Sequence, residues 1–129
     1  MSIEQAIHVR WQADAALEAL LPAMRLVTGI AHDAPRMPYA VLAQTESKPA
    51  VRTSSGTIIT RTALRLSIWA ADLDAGKAIA READRVLDRT SFALAAGTVL
   101  NLQRVHSIEQ AQADGAWLLA LDYVATHEN

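Results

Sequence analysis

The chain has 129 residues, the size of one ordinary domain, so we expect a single hydrophobic core. It contains no cysteine, which excludes disulfides, thiolate metal ligands and a cysteine nucleophile. Twelve Lys and Arg residues against 14 Asp and Glu residues give a formal net charge of -2, without the basic excess that usually accompanies binding to a nucleic acid backbone.

The first predicted element is a helix that begins at Ser2, because Ser2 followed by Gln5 has the pattern of a capping box. Apolar residues recur at helical spacing from there and carry the helix to about Leu21, just before Pro22. Residues 25–30 are short and apolar, and they predict a brief strand.

A long hairpin is predicted next, after a proline-containing loop over residues 32–38. Residues 39–45 form its first strand, and the polar residues 46–56 form its tip. The clearest strand of the chain covers residues 58–70, where apolar or β-branched side chains alternate with arginines and other side chains. Because this strand is longer than the usual ~5–6 residues, we expect a long β-hairpin arm that projects from the sheet.

The remaining elements are a helix and a second hairpin. Asp72 or Asp74 can cap a helix that runs from about residue 73 to residue 88. Residues 99–107 predict a strand, and residues 108–115 a polar turn that ends in Asp-Gly. The last strand, residues 117–124, is apolar on both faces over most of its length, as in a central strand.

Taken together, the element order predicts an α+β fold with an antiparallel sheet of about four to five strands. We expect two helices packed on one face of this sheet. The chain has no internal repeat and no low-complexity linker, so residues 1–129 are predicted to form one domain. No segment approaches the ~20 apolar residues that span a bilayer, and residues 1–10 lack the layout of a cleaved signal peptide.

The sequence contains no recognisable pattern for catalysis, a cofactor or a metal. Its four histidines lack the helical pairing of a zinc site, and we interpret the loop pair His32-Asp33 as solvated. Asp72 and Asp74 lack the continuation of a calcium loop and are better explained as helix caps. No glycine-rich phosphate loop occurs. We therefore predict a non-enzymatic protein with no cofactor and no metal.

The most informative charged and aromatic residues lie on the predicted hairpin. Arg52, Arg61 and Arg65 gather there, and Trp69 shares a strand face with Arg65. Ten of the twelve basic residues are Arg, which pairs bidentately with carboxylates at interfaces, although GC-rich coding is an alternative cause. We predict these four residues as a subunit-interface or lumen-lining surface. An ordinary solvated sheet face is the alternative.

The order of these elements resembles the phage tail-completion, or tail-terminator, family of head–tail joining proteins. Three features carry the resemblance: a strand that starts Met37-Pro38-Tyr39, an alternating strand that ends Trp69-Ala70 before a helix, and Leu121-Asp122-Tyr123 in the last strand. The resemblance covers nearly the whole chain, and it depends on the order and spacing of structural motifs.

This resemblance implies a structural virion protein that forms a ring, usually a hexamer, at the head-proximal end of a phage or phage-like tail. Its implied partners are itself, the tail tube protein and head–tail connector proteins, with no membrane and no sequence-specific nucleic acid. DNA would be able to pass through the ring lumen. The implied location is the virion tail, and the host cytoplasm before assembly.

Two other classes of function stay open on the sequence. One is a head–tail connector or adaptor protein of the same particle, which would occupy a neighbouring ring. The other is a small α+β ligand-binding or hydrolytic dimer unrelated to phage, which a pocket with convergent polar groups would favour.

Overall fold

The computed structural model describes residues 2–29 and 36–128, and these residues form a mixed α+β fold, as predicted. The described helices are α1 (Ile3–Ala13), α2 (Ala15–Leu20) and α3 (Leu73–Leu87), with a 3-10 turn at Ala23–Arg25. The described strands are β1 (Leu26–Thr28), β2 (Tyr39–Arg52), β3 (Ile58–Ala70), β4 (Thr90–Leu94), β5 (Gly97–Ala111) and β6 (Trp117–Glu128). The described ranges thus contain six strands rather than four to five, and three α-helices rather than two.

The N-terminal helical region is two helices because the chain breaks at Asp14. The predicted capping box is present at the start of α1: the Gln5 amide donates to Ser2 Oγ at 3.1 Å, and the Ser2 amide donates to Gln5 Oε1 at 2.9 Å. Asp14 has extended backbone angles, and its Oδ1 accepts a hydrogen bond from the Leu17 amide at 3.0 Å. Asp14 therefore ends α1 and caps α2, while the apolar periodicity continues across the break and conceals it.

The six strands form one sheet in the order β1-β2-β3-β6-β5-β4. All neighbours are antiparallel except β1 and β2, which are parallel. β3 and β6 lie at the centre and pair from Ile59 opposite Glu128 to Ala70 opposite Trp117. The prediction of a central last strand is confirmed.

The predicted hairpin arm is corrected by this pairing. β3 stays paired with β6 as far as Ile59, so it belongs to the centre of the sheet and does not project as a free arm. β2 runs to Arg52, because its ladder with β3 continues past the predicted strand end through bulges at Thr45 and Ala50. The turn of the hairpin is therefore residues 53–57, rather than the predicted residues 46–56.

The second hairpin also differs from its prediction. β5 continues to Ala111, beyond the predicted end at Ser107, because it stays paired with β6 up to Trp117. The turn shortens to residues 112–116. β4 was not predicted at all: it is short, its pairing with β5 is interrupted by a register shift, and none of its residues is fully buried.

The core lies between the helices and one face of the sheet. α1 contributes Ile3, Ile7 and Trp11, which recur every four residues and so lie on one side of the helix. The sheet contributes alternate residues of its central strands, which are Leu64, Leu66 and Ile68 of β3 and Leu119, Leu121, Tyr123 and Ala125 of β6. These strand residues belong to one face and share the core with residues of the helices, so the three helices pack on that face, where two were predicted.

A polar link connects this core to α3. Tyr123 Oη donates to Asp84 Oδ1 at 3.0 Å, and Arg104 Nε lies 3.0 Å from the same oxygen. Burial and the neighbouring Asp84 carboxylate both raise the pKa of the Tyr123 hydroxyl above its ordinary value. The hydroxyl is therefore held neutral in the folded protein.

We predict that Tyr123→Phe lowers the free energy of unfolding near neutral pH by about 1–2 kcal/mol, because Asp84 loses a donor. The folded pKa of Tyr123 is above its unfolded value of about 10, so the hydroxyl favours the folded state below that pH. This contribution is lost as the pH rises further. The free energy of unfolding measured in urea should therefore fall more steeply above pH ~10 for the wild-type protein than for Tyr123→Phe. Tyr39→Phe is the matched control, and equal slopes for wild type and Tyr123→Phe would contradict the assignment.

Trp11 provides a second test of the core. Its side chain is 0% exposed, and its Nε1 donates to the Leu21 carbonyl at 2.8 Å. We predict that Trp11→Phe lowers the free energy of unfolding by about 2 kcal/mol, because it leaves a gap and an unpaired carbonyl. Thermal denaturation should show a much smaller loss for Trp69→Phe, since Trp69 is only partly buried. Equal losses in the two variants would argue against this view of the core.

Candidate functional site

The open face is the side of the sheet opposite the helices, and it carries three of the four predicted interface residues. Alternation along β3 places Arg61, Arg65 and Trp69 there, while the residues between them alternate into the core. Arg52 pairs with Ile58 at the end of the hairpin, and by the same alternation it lies on the other face. The structure therefore places three of the four residues on one face, spread along the length of β3, and Arg52 on the other face.

The centre of the open face is an ion pair between Arg65 and Asp122. Arg65 donates to both carboxylate oxygens, from Nε to Oδ1 at 2.7 Å and from Nη2 to Oδ2 at 3.1 Å. These hydrogen bonds hold the pKa of the Asp122 carboxyl below its ordinary value, and the charges of Arg65 and nearby His106 act in the same direction against partial burial. The charge of Arg65 is thus balanced within its own chain.

Beside this ion pair the open face is apolar, and we call this area the platform. Its apolar residues are Tyr39, Val41, Trp69, Ile108 and Leu118, which come from four neighbouring strands, and the polar Ser67 and Gln110 lie among them. Tyr39 and Trp69 are stacked, with ring centroids 5.1 Å apart and planes inclined by 10°. Ile108 is 40% exposed. Because the three helices pack on the opposite face, the platform remains an accessible apolar surface.

An open depression of about 670 Å³ continues the platform toward the turn between β5 and β6. The stacked Tyr39 and Trp69 form part of its wall, together with the exposed Met37 and Asp114. Arg36 also lines it. The depression therefore offers aromatic faces and a carboxylate side by side.

The opposite end of the sheet is the hairpin end, residues 45–57, which is exposed or partly exposed throughout. Lys48 pairs with Glu46 at 2.9 Å. Arg61 lies opposite Lys48 in the ladder, on the open face, while Arg52 lies at the same end of the sheet on the other face. Within residues 2–29 and 36–128, neither Arg52 nor Arg61 forms an ion pair.

The residues that sequence reasoning missed are those that complete the open face from other strands. Asp122 lies 57 positions from Arg65, and Tyr39 lies thirty positions from Trp69 along the sequence. Pairing across strands brings each of them into contact. The alternation in β3 identified one face of that strand. The residues beside that face on neighbouring strands can be identified only when the register between the strands is known.

Three of the histidines and aspartates considered for chemistry, His8, His127 and Asp72, have structural contacts. His8 Nε2 lies 2.8 Å from the Ala23 carbonyl, and His127 Nε2 lies 2.9 Å from Thr62 Oγ1. Asp72 caps α3 by accepting from the Ala75 amide at 2.8 Å, which confirms the capping prediction. His32 and Asp33 lie outside the described residues.

Two absences hold for the part of the chain that the structure describes. Residues 2–29 and 36–128 contain no group of three or more His, Asp or Glu side chains that could hold a metal ion. None of the helices in these ranges is long and apolar enough to cross a bilayer.

Comparison with known proteins places this fold in a family. A comparison with curated protein sequences gave no match. Among solved structures 28 chains match. One, from a structure described as the virion of a native gene transfer agent (GTA) particle, has a TM-score of 0.78 at 16% identity, covering 99% of this chain and 96% of that one. Residues 5–127 match the family described as Tail completion protein gp17. The chain therefore belongs to this tail completion family, as the resemblance of its sequence indicated.

Proposed function

We propose that this protein is a structural component of a phage or phage-like tail, where it forms a ring at the head-proximal end. The ring terminates the tail tube and joins it to the head. The observation that carries this proposal is the match to the tail completion family over residues 5–127. The fold that the chain shares with a protein of a gene transfer agent virion agrees with it.

In this proposal the protein acts through surfaces rather than through a catalytic centre. Its partners are further copies of itself in a six-membered ring, the tail tube protein and the head–tail connector proteins. It needs no cofactor, and it resides in the tail after folding in the host cytoplasm. The ring closes through head-to-tail contacts, which join two different surfaces of neighbouring copies. The accessible platform supports such contacts, and so does Arg61, which forms no ion pair within residues 2–29 and 36–128.

The direct test is to delete the gene for this protein and to examine the particles that are then produced. We expect electron micrographs of such preparations to show heads separated from tails, with tails of abnormal length, because nothing terminates the tube. Resupplying the wild-type chain should restore joined particles. Normal joined particles in its absence would refute the proposal. Tails of normal length without heads would instead favour the alternative of a head–tail connector.

The arginines of the open face provide a test at the level of residues. Arg61→Ser combined with Arg65→Ser should lower the free energy of unfolding by about 1 kcal/mol or less per site, because both side chains are exposed. Ring formation, measured by sedimentation and by electron microscopy, should be lost. Each junction would lack the Arg61 cation, and the loss of Arg65 would leave the Asp122 carboxylate unpaired on the open face.

The matched control removes two exposed cations from the helical side, by Lys77→Ser combined with Arg81→Ser. This control variant should assemble like the wild-type protein. If the open-face double variant also assembles normally, Arg61 and Arg65 belong to an ordinary solvated face.

A further inference from the structure

The two ends of the sheet differ in both shape and charge. The platform end is concave, and Arg36 and Asp114 line its depression. Asp72 and Asp74 follow the end of β3 at this end of the sheet, where Arg25 precedes β1. None of these three carboxylates forms an ion pair with another residue in the described ranges. The hairpin end is exposed and carries Lys48, Arg52 and Arg61 against Glu46 and Glu128, so it has one more cation than carboxylate. One end of the chain is thus complementary in charge to the other end.

The two ends cannot meet within one chain. Trp69 and Arg61 lie eight residues apart on the continuous strand β3, which corresponds to roughly 27 Å at the usual rise of a strand. An occupant of the platform that has the chemistry of the hairpin end must therefore come from another molecule. A second copy of this chain supplies that chemistry directly.

The details of the hairpin end suit the platform. Arg52 is the last residue of β2 and is exposed, on the face of the hairpin opposite to that of Val51. The depression presents the stacked Tyr39 and Trp69 beside the Asp114 carboxylate. A planar guanidinium stacks on aromatic faces while it donates to a carboxylate, so this arrangement favours arginine.

We propose that the hairpin end of one copy docks on the platform of the next, with Arg52 between the stacked aromatic pair and Asp114. This inference rests on the proposed ring and specifies its contact. The two surfaces differ, so each copy offers its hairpin end to one neighbour and its platform to the other. The contact is therefore head-to-tail. Arg52, which the fold separates from Arg61 and Arg65, is then an interface residue in its own right.

A charge exchange tests the pairing. Arg52→Glu and Asp114→Lys should each weaken self-association by about tenfold or more in a sedimentation concentration series, because each places like charges in contact. An equimolar mixture of the two variants should associate again, because alternating copies present opposite charges at every junction. Thermal melts establish that each variant is folded. Asp114→Asn removes the charge while keeping an acceptor for the Ala116 amide. It should also weaken association, and it replaces Asp114→Lys in the test if that variant does not fold.

Three results would overturn the inference. If both variants associate like the wild-type protein, the contact lies elsewhere while the ring itself stands. If each variant weakens association but the mixture does not recover it, Arg52 and Asp114 are not partners. If the wild-type chain remains monomeric throughout the series, self-association is wrong, and with it both the ring and this contact.

Discussion

The pairing of β3 with β6 is the constraint on which the rest of this structure depends. Each step of that ladder places one residue toward the helices and the next toward the open face. Leu66 beside Leu121 therefore belongs to the core, while Arg65 beside Asp122 belongs to the open face. A shift of one residue in either strand would expose the core residues and bury the ion pair. The same ladder thus determines stability on one side and the candidate interface on the other.

Local patterns were sufficient to predict the features that depend on neighbouring residues. The capping box at Ser2 and the cap at Asp72 depend on side chains within three positions of the amides they bind, so the sequence shows them directly. The two faces of β3 follow from simple alternation. In contrast, the break at Asp14 interrupts the backbone without interrupting the apolar periodicity, so the pattern of residues could not reveal it.

Features that depend on distant partners were harder to predict. The polar second half of β2 has no strand pattern of its own, and its conformation is imposed by pairing with β3. The partner of Arg65 was unknown until the register placed Asp122 beside it. The sequence identified Arg61, Arg65 and Trp69 as residues of one surface, but the platform around Trp69 is assembled from four strands. Its shape is therefore a property of the fold.

The partly covered outer strands of the sheet also affect how copies of this chain can associate. Within residues 2–29 and 36–128, β1 pairs with residues 40–42 alone, and the rest of β2 has no strand neighbour on that side. Two bulges and Pro49 interrupt this edge, and such features oppose the addition of a further strand from another molecule. Backbone pairing between edges has no inherent limit, because every added strand presents a new edge and growth continues as a fibre. A contact between shaped side-chain surfaces instead fixes the angle between neighbours, and a fixed angle determines how many copies complete a circle.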